Sequence, residues 1–574
     1  MTAPTAIPAA LPSTAPPPAW GPALLAGAIG LFLLAFLVVP VGTVIGVAFT
    51  EKGTGAPTLV NFLDFARTDL FVTSLLNSLW VSAAAVVLAS GLALPLAALT
   101  TRYVFPGAAL VQVLGFLPLV MPPFVGAVAL QLIFGRNGTV NLLLDEWLGL
   151  KVPFMEGLNG VVFVEALHYF PFILVNTSAA MRAIDRSMEE AAQNLGCHGF
   201  RLFRRVVLPL ALPGYVAGAS LVFVKVFDDV ATPLLLNVKE LLAPQAYLRI
   251  TSIGLADPMG YVISVVLILG SVAAMALSGL ALRGRDYATA QRGGGGLGRR
   301  RLTGPQTALA YLVVALILAL VLAPHLALAL LSFATIWSFS PLPDAYTTAH
   351  YARVFGESGG YIANTLLYAS LAGLIDVVLG AAIAYLVLRT RIMGRHLLDL
   401  TATAALAVPG VVLGIGYLRA FASVTLPDGR PVTGLWVVIV LALAVRRLPY
   451  ALRACAAALH QVAVSLEEAA QNLGATRARA VRRVVLPLIT GGLVAGFVSS
   501  FSTAAVELSA TLMLVQSGAD APLAYGLYVF MQSPAGRGPG AALGVIATLI
   551  VALCALLSHV AVERGAARVR GEAR

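Results

Sequence analysis

The sequence predicts an all-α polytopic membrane protein in which twelve transmembrane helices form two homologous six-helix halves. Its 574 residues are 59% hydrophobic and only 11% charged, a composition far from that of soluble globular proteins. Apolar segments follow one another along the chain, and each is long enough for the roughly 20 residues that cross a bilayer. A polar motif of 24 residues occurs at 187–210 and again at 465–488, with 17 identical positions at a shift of 278 residues.

The apolar segments define the predicted spans and the domain boundaries. Residues 1–20 carry no charge and are rich in Ala, Pro and Thr, which predicts a disordered tail. We expect a first six-span half at 21–283, a flexible linker at 284–305, a second six-span half at 306–563 and a basic tail at 564–574. The spans are predicted at 22–49, 73–100, 107–134, 159–182, 210–236, 260–283, 306–335, 364–388, 397–421, 434–459, 488–516 and 540–562.

The distribution of basic residues predicts the orientation of the chain in the membrane. Segments assigned to the inside hold 23 arginines, whereas segments assigned to the outside hold nine Lys and Arg residues. Because basic residues concentrate on the cytoplasmic side, both polar motifs and both termini are expected to be cytoplasmic. The two halves also match outside the motif, where Asn77, Arg102 and Pro122 correspond to Asn364, Arg389 and Pro409 at a shift of 287.

Each polar motif is predicted to form a helix, a turn and a second helix. Ser187 and Glu190 have the spacing of a capping box that begins a helix, as do Ser465 and Glu468. A glycine follows, at 196 in the first copy and at 474 in the second, and it can adopt the left-handed conformation that ends many helices. Pro209 and Pro487 are expected to break the second helix.

These motifs resemble the EAA motif of ABC importer permeases, and the resemblance covers nearly all of residues 60–560. The only departure is Val, where Ile is usual, at Val206 and Val484. The resemblance implies that each loop couples the permease to a cytoplasmic ATPase. The matching residues are Glu190, Ala191, Ala192, Gly196, Leu208 and Pro209 in the first copy and Glu468, Ala469, Ala470, Gly474, Leu486 and Pro487 in the second.

The family resemblance also implies partners that the chain does not itself contain. The sequence has no GxxxxGK[ST] phosphate-binding loop, so no cofactor is expected to bind directly and ATP is expected to act through a homodimeric ABC ATPase. A periplasmic substrate-binding protein would deliver the substrate, and the chain would lie in the bacterial inner membrane. NSLWVS at 77–82 and VELSATLMLV at 506–515 resemble fused permeases of the ferric-iron type. Permeases for 2-aminoethylphosphonate are similar, and those for sulfate, thiamine and polyamines are more distant.

Charged residues inside the predicted spans are candidates for a translocation path. Asp228 and Asp229 lie in the fifth span, and the shift of 278 places Asp229 opposite Glu507 in the eleventh. Ionisable groups in a membrane usually face a cavity or a partner. The acids could therefore line a path for a hard cation such as Fe(III), whereas Lys225 could simply pair with Asp229 four residues away. Arg446, in the tenth span, could counter Glu507 or Asp228, or favour an anion.

Other functional classes find less support in the sequence. An ion-gradient-driven secondary transporter would not explain two nearly identical polar loops. No Ser/His/Asp or HExxH arrangement lies in the spans to carry catalysis, so the chain is not expected to be an enzyme. The three cysteines lack a CxxC spacing, which gives no metal site. The net charge of +11 is explained by membrane orientation, so no nucleic-acid partner is expected.

Overall fold

The computed structural model describes residues 20–283 and 300–569, and this part of the chain is almost entirely helical. Most of the predicted tail at 1–20, most of the linker at 284–305 and the end of the tail at 564–574 lie outside the described residues. The last residues of the predicted linker do have structure: strand Arg300–Arg301 pairs in parallel with strand Tyr103–Val104. Helix Arg537–Val569 also continues past the predicted end of the second half at residue 563.

The first half contains fourteen α-helices, and short 3-10 and π segments join some of them. The α-helices are Trp20–Leu33, Val39–Ala48, Val60–Arg67, Asp69–Arg102, Ala108–Phe116, Pro123–Phe134, Thr139–Leu148, Gly157–Arg182, Arg186–Asn194, Gly199–Leu202, Leu208–Asp228, Ala231–Leu235, Leu242–Ser252 and Pro258–Ala281. The other helical segments are Leu34–Val38, Leu117–Val120 and Phe203–Val207.

The second half repeats this order with small differences. Its α-helices are Gly304–Leu331, Ala349–Glu357, Gly359–Arg389, Arg395–Ala404, Gly410–Ala420, Trp436–His460, Val464–Asn472, Arg477–Ala480, Leu486–Leu488, Thr490–Ala505, Thr511–Leu514, Leu523–Met531 and Arg537–Val569. The other helical segments are Ala405–Ala407, Val432–Gly434, Val481–Val485, Gly518–Asp520 and Pro534–Gly536.

The number of membrane-crossing helices depends on how bent helices are counted. Nine helices in the described residues are long and apolar enough to cross a membrane, or up to eleven if each of two bent pairs is one span. The tenth predicted span corresponds to helix Trp436–His460, which is 25 residues long and contains Arg446 and Arg447. The predicted third span is divided, since the chain turns between helix Ala108–Val120 and helix Pro123–Phe134.

Prolines that correspond in the two halves divide the third span of each half at matching positions. Pro122 and Pro409 are extended residues directly before a helix, with ψ of 138° and 144°. In the second half the helices on the two sides of this break meet at 110°. Proline lacks an amide hydrogen and restricts the preceding residue to extended conformations, so a continuous helix is disfavoured at both places.

The first span of each half packs against the opposite half. Leu37 is buried in a cluster with Tyr417, whose hydroxyl donates to the carbonyl of Phe36 at 2.8 Å. In the same way, Val314 and Val321 of helix Gly304–Leu331 are buried in the core of the first half. A further core cluster contains residues from both halves, such as Phe124 and Met513. The two halves are therefore interlocked through their first spans.

Candidate functional site: two polar loops and a cavity between the halves

The two copies of the repeated motif, called here the first loop (187–210) and the second loop (465–488), begin differently from the prediction. The first helix starts at Arg186, and its N-cap is Asp185, two residues before the predicted cap Ser187; the Asp185 carboxylate accepts from the amide of Ser187 at 2.8 Å. The second starts at Val464 after Ala463, which has no side chain to cap it. The predicted capping boxes are therefore wrong, because both serines lie inside the first turn.

The predicted glycine C-caps are confirmed in both loops. Gly196 and Gly474 have φ values of +80° and +87°. The next residue in each loop donates back to the carbonyl of the alanine five positions earlier, at 2.9 Å from Cys197 and 3.0 Å from Ala475. This 6→1 hydrogen bond is characteristic of the Schellman motif. The two loops therefore have the same backbone turn.

The prolines at the ends of the loops do not act quite as predicted. In the first half, a π-helical turn at Phe203–Val207 carries the chain through Pro209 into helix Leu208–Asp228, so no break occurs. In the second half the same π turn is followed by a 70° bend at Ile489, two residues after Pro487. There the Thr490 hydroxyl donates to the carbonyls of Leu486 and Pro487, a type of bond that often bends helices.

An arginine from the second span of each half anchors the adjacent loop. Arg102 forms an ion pair with Glu189 at 2.7 Å, and Arg389 forms one with Glu467 at 3.0 Å. All four side chains are at most 10% exposed. The carboxylates belong to the residues immediately before the motif glutamates Glu190 and Glu468, which are themselves exposed. Each loop is therefore fixed rigidly to its own half.

The second loop has an additional connection. The Tyr385 hydroxyl donates to Glu467 at 3.1 Å, and Arg477 donates both to that hydroxyl at 3.1 Å and to the carbonyl of Arg389 at 2.7 Å. The positions equivalent to Tyr385 and Arg477 in the first half are Ala98 and Gly199. Neither can form a side-chain hydrogen bond, so this bridge is specific to the second half.

Both loops expose apolar side chains at equivalent positions. Leu195 is 88% exposed and its counterpart Leu473 is 90% exposed. Met188 and Leu466, which also correspond, are partly exposed near the start of each loop helix. A matched pair of apolar residues on a rigid polar loop is a surface suited to binding another protein.

A cavity of about 190 Å³ lies between the two halves. Seven pairs of equivalent positions at the shift of 278 contribute to its lining, so it surrounds the pseudo-twofold axis that relates the halves. The pairs are His168 and Arg446, Tyr169 and Arg447, Phe172 and Tyr450, Lys225 and Thr503, Asp228 and Val506, Asp229 and Glu507, and Ala231 and Ser509. A larger recess of about 370 Å³, near Arg136 and Trp337, contains no such pair.

The four candidate path residues Asp228, Asp229, Arg446 and Glu507 all line this central cavity. Arg446 forms ion pairs with both Asp228 and Glu507, and all three side chains are less than 10% exposed. The Asp228 carboxylate also accepts from the amide of Gly410 at 3.0 Å. Because Asp228 belongs to the first half and its partners to the second, this triad connects the halves across the axis.

The matched acids have the same structural role in the two halves. Asp229 accepts from the amide of Thr232 at 3.0 Å, and Glu507 accepts from the amide of Ala510 at 3.1 Å. Thr232 and Ala510 are themselves equivalent, and each lies at a short helix after the long one. The correspondence between Asp229 and Glu507 is thus explained by capping, since the acid satisfies an otherwise free helix amide.

The cations that line the cavity differ in whether they have an ion-pair partner. The expected alternative, a pair between Lys225 and Asp229, does not occur. Within residues 20–283 and 300–569, neither Lys225 nor Arg447 forms an ion pair. Arg447 is 5% exposed and its Nε has no hydrogen-bond partner there, although the Tyr450 hydroxyl approaches the guanidinium. In the same part of the chain no group of three His, Cys, Asp or Glu residues could hold a metal ion.

Sequence reasoning anticipated the triad as one of two alternatives but missed the anchors. Arg446 was expected either to counter Glu507 or Asp228 or to favour an anion, and the structure shows ion pairs with both acids. Arg102 and Arg389 were recognised as corresponding residues, but nothing in the sequence assigned Glu189 and Glu467 to them. Their matched positions at the ends of the second spans were the available signal.

Comparison with known proteins places this geometry in a family. The chain is 26% identical over 505 residues to the ferric transport system permease protein FbpB of Actinobacillus pleuropneumoniae, covering 86% of this chain and 72% of that one. It is 35% identical over 158 residues to the molybdenum transport system permease protein ModB of Escherichia coli, covering 28% and 68%. A protein of Salmonella choleraesuis named as a 2-aminoethylphosphonate permease, PhnU, is 29% identical over 188 residues, covering 32% and 64%.

The family match covers both halves. The profile described as "binding-protein-dependent transport system inner membrane component" matches residues 89–287 and again residues 376–571. Each matched region contains one of the two polar loops and one side of the central cavity. The chain therefore belongs to the family of binding-protein-dependent transport system inner membrane components, as a multi-pass permease with two copies of the family domain.

Proposed function

We propose that this chain is the complete transmembrane path of an ABC importer, and that its two loops each receive one subunit of a homodimeric cytoplasmic ATPase. The observation that carries the proposal is the pair of loops with the same backbone turn, each held by a buried arginine–glutamate ion pair. Two equivalent docking sites suit two identical partner subunits. Both loops and both termini would then be cytoplasmic, and a periplasmic binding protein would deliver the substrate to the other face.

The proposed motion follows from the interlocked halves. ATP binding would bring the two ATPase subunits together, pull the loops towards each other and rock the halves about the central axis. Rigid elements with two arrangements can couple distant sites in this way. The link from Asp228 to Arg446 and Gly410 crosses between the halves, so it would rearrange during each cycle. In this proposal Asp228, Asp229, Arg446 and Glu507 line the path.

The substrate we favour is iron, because a relative that aligns with 86% of this chain is named as a ferric permease. The similarity to permeases named for molybdenum and 2-aminoethylphosphonate supports a small solute as the alternative. The cavity volume of about 190 Å³ is below the roughly 300 Å³ at which pockets for drug-sized ligands begin. This size favours a small ion over larger solutes such as thiamine or a polyamine.

Copurification of the ATPase tests the role of the loops. Leu195→Asp and Leu473→Asp place a charge on the exposed apolar residues that the partner would cover, so the double variant should lose the ATPase. Leu342→Asp is a matched control, because Leu342 is 61% exposed and follows helix Gly304–Leu331, at the end away from the loops. Undiminished ATPase recovery with the double variant would contradict the proposed docking site.

Reconstitution separates this function from a gradient-driven secondary transporter. The purified chain alone in liposomes should not accumulate solute when a pH or sodium difference is applied without nucleotide. Accumulation under those conditions would overturn the proposal, because the energy source would then lie in the chain itself.

A further inference from the structure

We propose that the species passing through the central cavity is an anion with oxygen acceptors: a small oxyanion, or iron carried as an anionic oxygen-donor complex, but not a bare ferric ion. This inference rests on the proposed function and names its substrate class. It depends on which charges of the cavity are already used by the protein and which remain available to a ligand.

Each carboxylate of the cavity has at least one protein partner, although Oε2 of Glu507 has no hydrogen-bond partner among the described residues. Asp228 binds Arg446 and the amide of Gly410, and Glu507 binds Arg446 and the amide of Ala510. Asp229 caps the helix that contains Thr232. A hard cation such as Fe(III) requires several free oxygen ligands in one place. Within the described residues, no group of three potential ligands is available.

Two cations of the cavity have no carboxylate partner among the described residues, although the Tyr450 hydroxyl approaches the Arg447 guanidinium. Lys225 and Arg447 line the cavity from opposite halves, and neither forms an ion pair within the described parts of the chain. Arg447 is nearly completely buried and leaves its Nε without a hydrogen-bond partner. A buried donor without an acceptor is unfavourable, so an oxyanion that enters the cavity would gain from meeting it.

The surrounding groups favour the same ligand chemistry. Arg447 lies within electrostatic range of the buried Asp376 but forms no ion pair with it, and Asp376 does not line the cavity. Ser509 lines the wall contributed by the second half and can donate a hydroxyl hydrogen bond, whereas the Thr503 hydroxyl beside it already donates to the carbonyl of Ser499 at 2.7 Å. Arginine binds planar and tetrahedral oxyanions well because its donors form a fixed fork. Lys225, Arg447 and Ser509 are thus donors that a ligand could meet, and two of them are cationic.

The asymmetry of the two halves agrees with this assignment. Lys225 corresponds to Thr503, and Arg447 corresponds to Tyr169. Each half therefore contributes one cation where the other contributes a hydroxyl group. A single ligand on the axis would meet a cation from each side, which would stabilise a negative charge at the centre.

Uptake by the complete transporter, with its ATPase and binding protein, tests the inference. The probes are ferric chloride under acid without chelator, ferric citrate, molybdate, sulfate, 2-aminoethylphosphonate, thiamine and spermidine. The variants are Lys225→Gln, Arg447→Gln and the double variant, with Lys225→Arg and Arg447→Lys as charge-preserving controls. Membrane insertion and ATPase copurification are measured for every variant, so that a failure to fold is recognised.

The inference predicts that the wild type accumulates an anionic probe in an ATP-dependent manner. Each Gln variant should lower this uptake by about tenfold, since each loses a charge-assisted hydrogen bond, while the charge-preserving variants recover much of it. Uptake of ferric citrate distinguishes an iron complex from a free oxyanion. ATP-dependent uptake of unchelated iron, thiamine or spermidine instead would overturn the anion assignment and leave the importer function standing.

Two further results would also count against the inference. If the Gln variants insert, bind the ATPase and transport at the wild-type rate, Lys225 and Arg447 do not contact the substrate. If the wild type transports none of the probes although its ATPase is bound, the substrate lies outside the proposed class. Accumulation without ATP would instead refute the proposed function.

Discussion

The two polar loops and the central cavity are both built from equivalent positions of the two halves. The residues at those positions are mostly identical in the loops and different in the cavity. In the loops, 17 of 24 positions are identical and the glycine turn, the π turn and the arginine anchor all recur. In the cavity, none of the seven residue pairs is identical. Two copies of one partner need two equal surfaces, whereas a single substrate on the axis needs only one combined site.

The largest expected effect tests whether the two loops are anchored equally. Arg102→Met and Arg389→Met each remove the arginine from a buried ion pair with a glutamate, and breaking a buried pair in this way costs about 3–5 kcal/mol in other proteins. Both variants should therefore lose substrate-stimulated ATPase activity in the assembled transporter. Arg453→Met is the control, because Arg453 is 58% exposed in its pair with Asp399 and such pairs contribute only ~0–1 kcal/mol. Normal stimulation in either anchor variant would refute the equivalence.

A second test concerns helix packing. Equivalent helices approach each other more closely at Gly218 in the first half than at Gly496 in the second. A Cβ added at Gly218 would lie 2.7 Å from Cα of Ile173, whereas one at the equivalent Gly496 would lie 3.2 Å from Cα of Ala451. Overpacking of this kind costs ~1–3 kcal/mol, so Gly218→Ala should lower the melting temperature in detergent more than Gly496→Ala. Gly91→Ala is the control, because its Cβ would meet nothing within 4 Å. A larger loss of melting temperature for Gly496→Ala than for Gly218→Ala would show that the helices of the first half move apart more easily to accommodate the added methyl group.

A third test addresses the glycine turns that both loops share. Gly196→Val and Gly474→Val force a β-branched residue into a positive φ, which costs about 1–2 kcal/mol, although an added Cβ would have open space at both positions. Transport and substrate-stimulated ATPase activity should fall to a similar extent in both variants. Asn at the same positions tolerates this conformation and should retain most activity. Full transport by the double Val variant would show that the turns do not transmit motion.

The smallest expected effect isolates the connection found only in the second loop. Tyr385→Phe removes the hydroxyl between Glu467 and Arg477, and a hydrogen bond of this kind contributes ~0.5–1.5 kcal/mol. The variant should show a modest loss of stimulated ATPase activity. Tyr346→Phe, at a 61% exposed tyrosine, should show none. Equal activity of both variants would mean that the second loop gains nothing from the extra bridge.

Hydropathy, the repeat at a shift of 278 and the EAA spacing determined the membrane class, the two-half architecture, the loops and the glycine turns. These features depend on local composition and on residues close together in the chain. The capping boxes and the break at Pro209 were wrong, because Asp185 provides a nearer cap and a π turn accommodates the proline. Local patterns allow several helix starts, and packing selects one of them.

Only the tertiary structure decided how charges far apart in the sequence combine. Asp228 and Arg446 are 218 positions apart, and Arg102 and Glu189 are 87 apart. The sequence showed that these groups were costly to bury, but it could not show which partner would neutralise each one. That choice depends on how the two halves meet at their common axis, and it leaves Lys225 and Arg447 without an ion pair in the part of the chain that the structure describes.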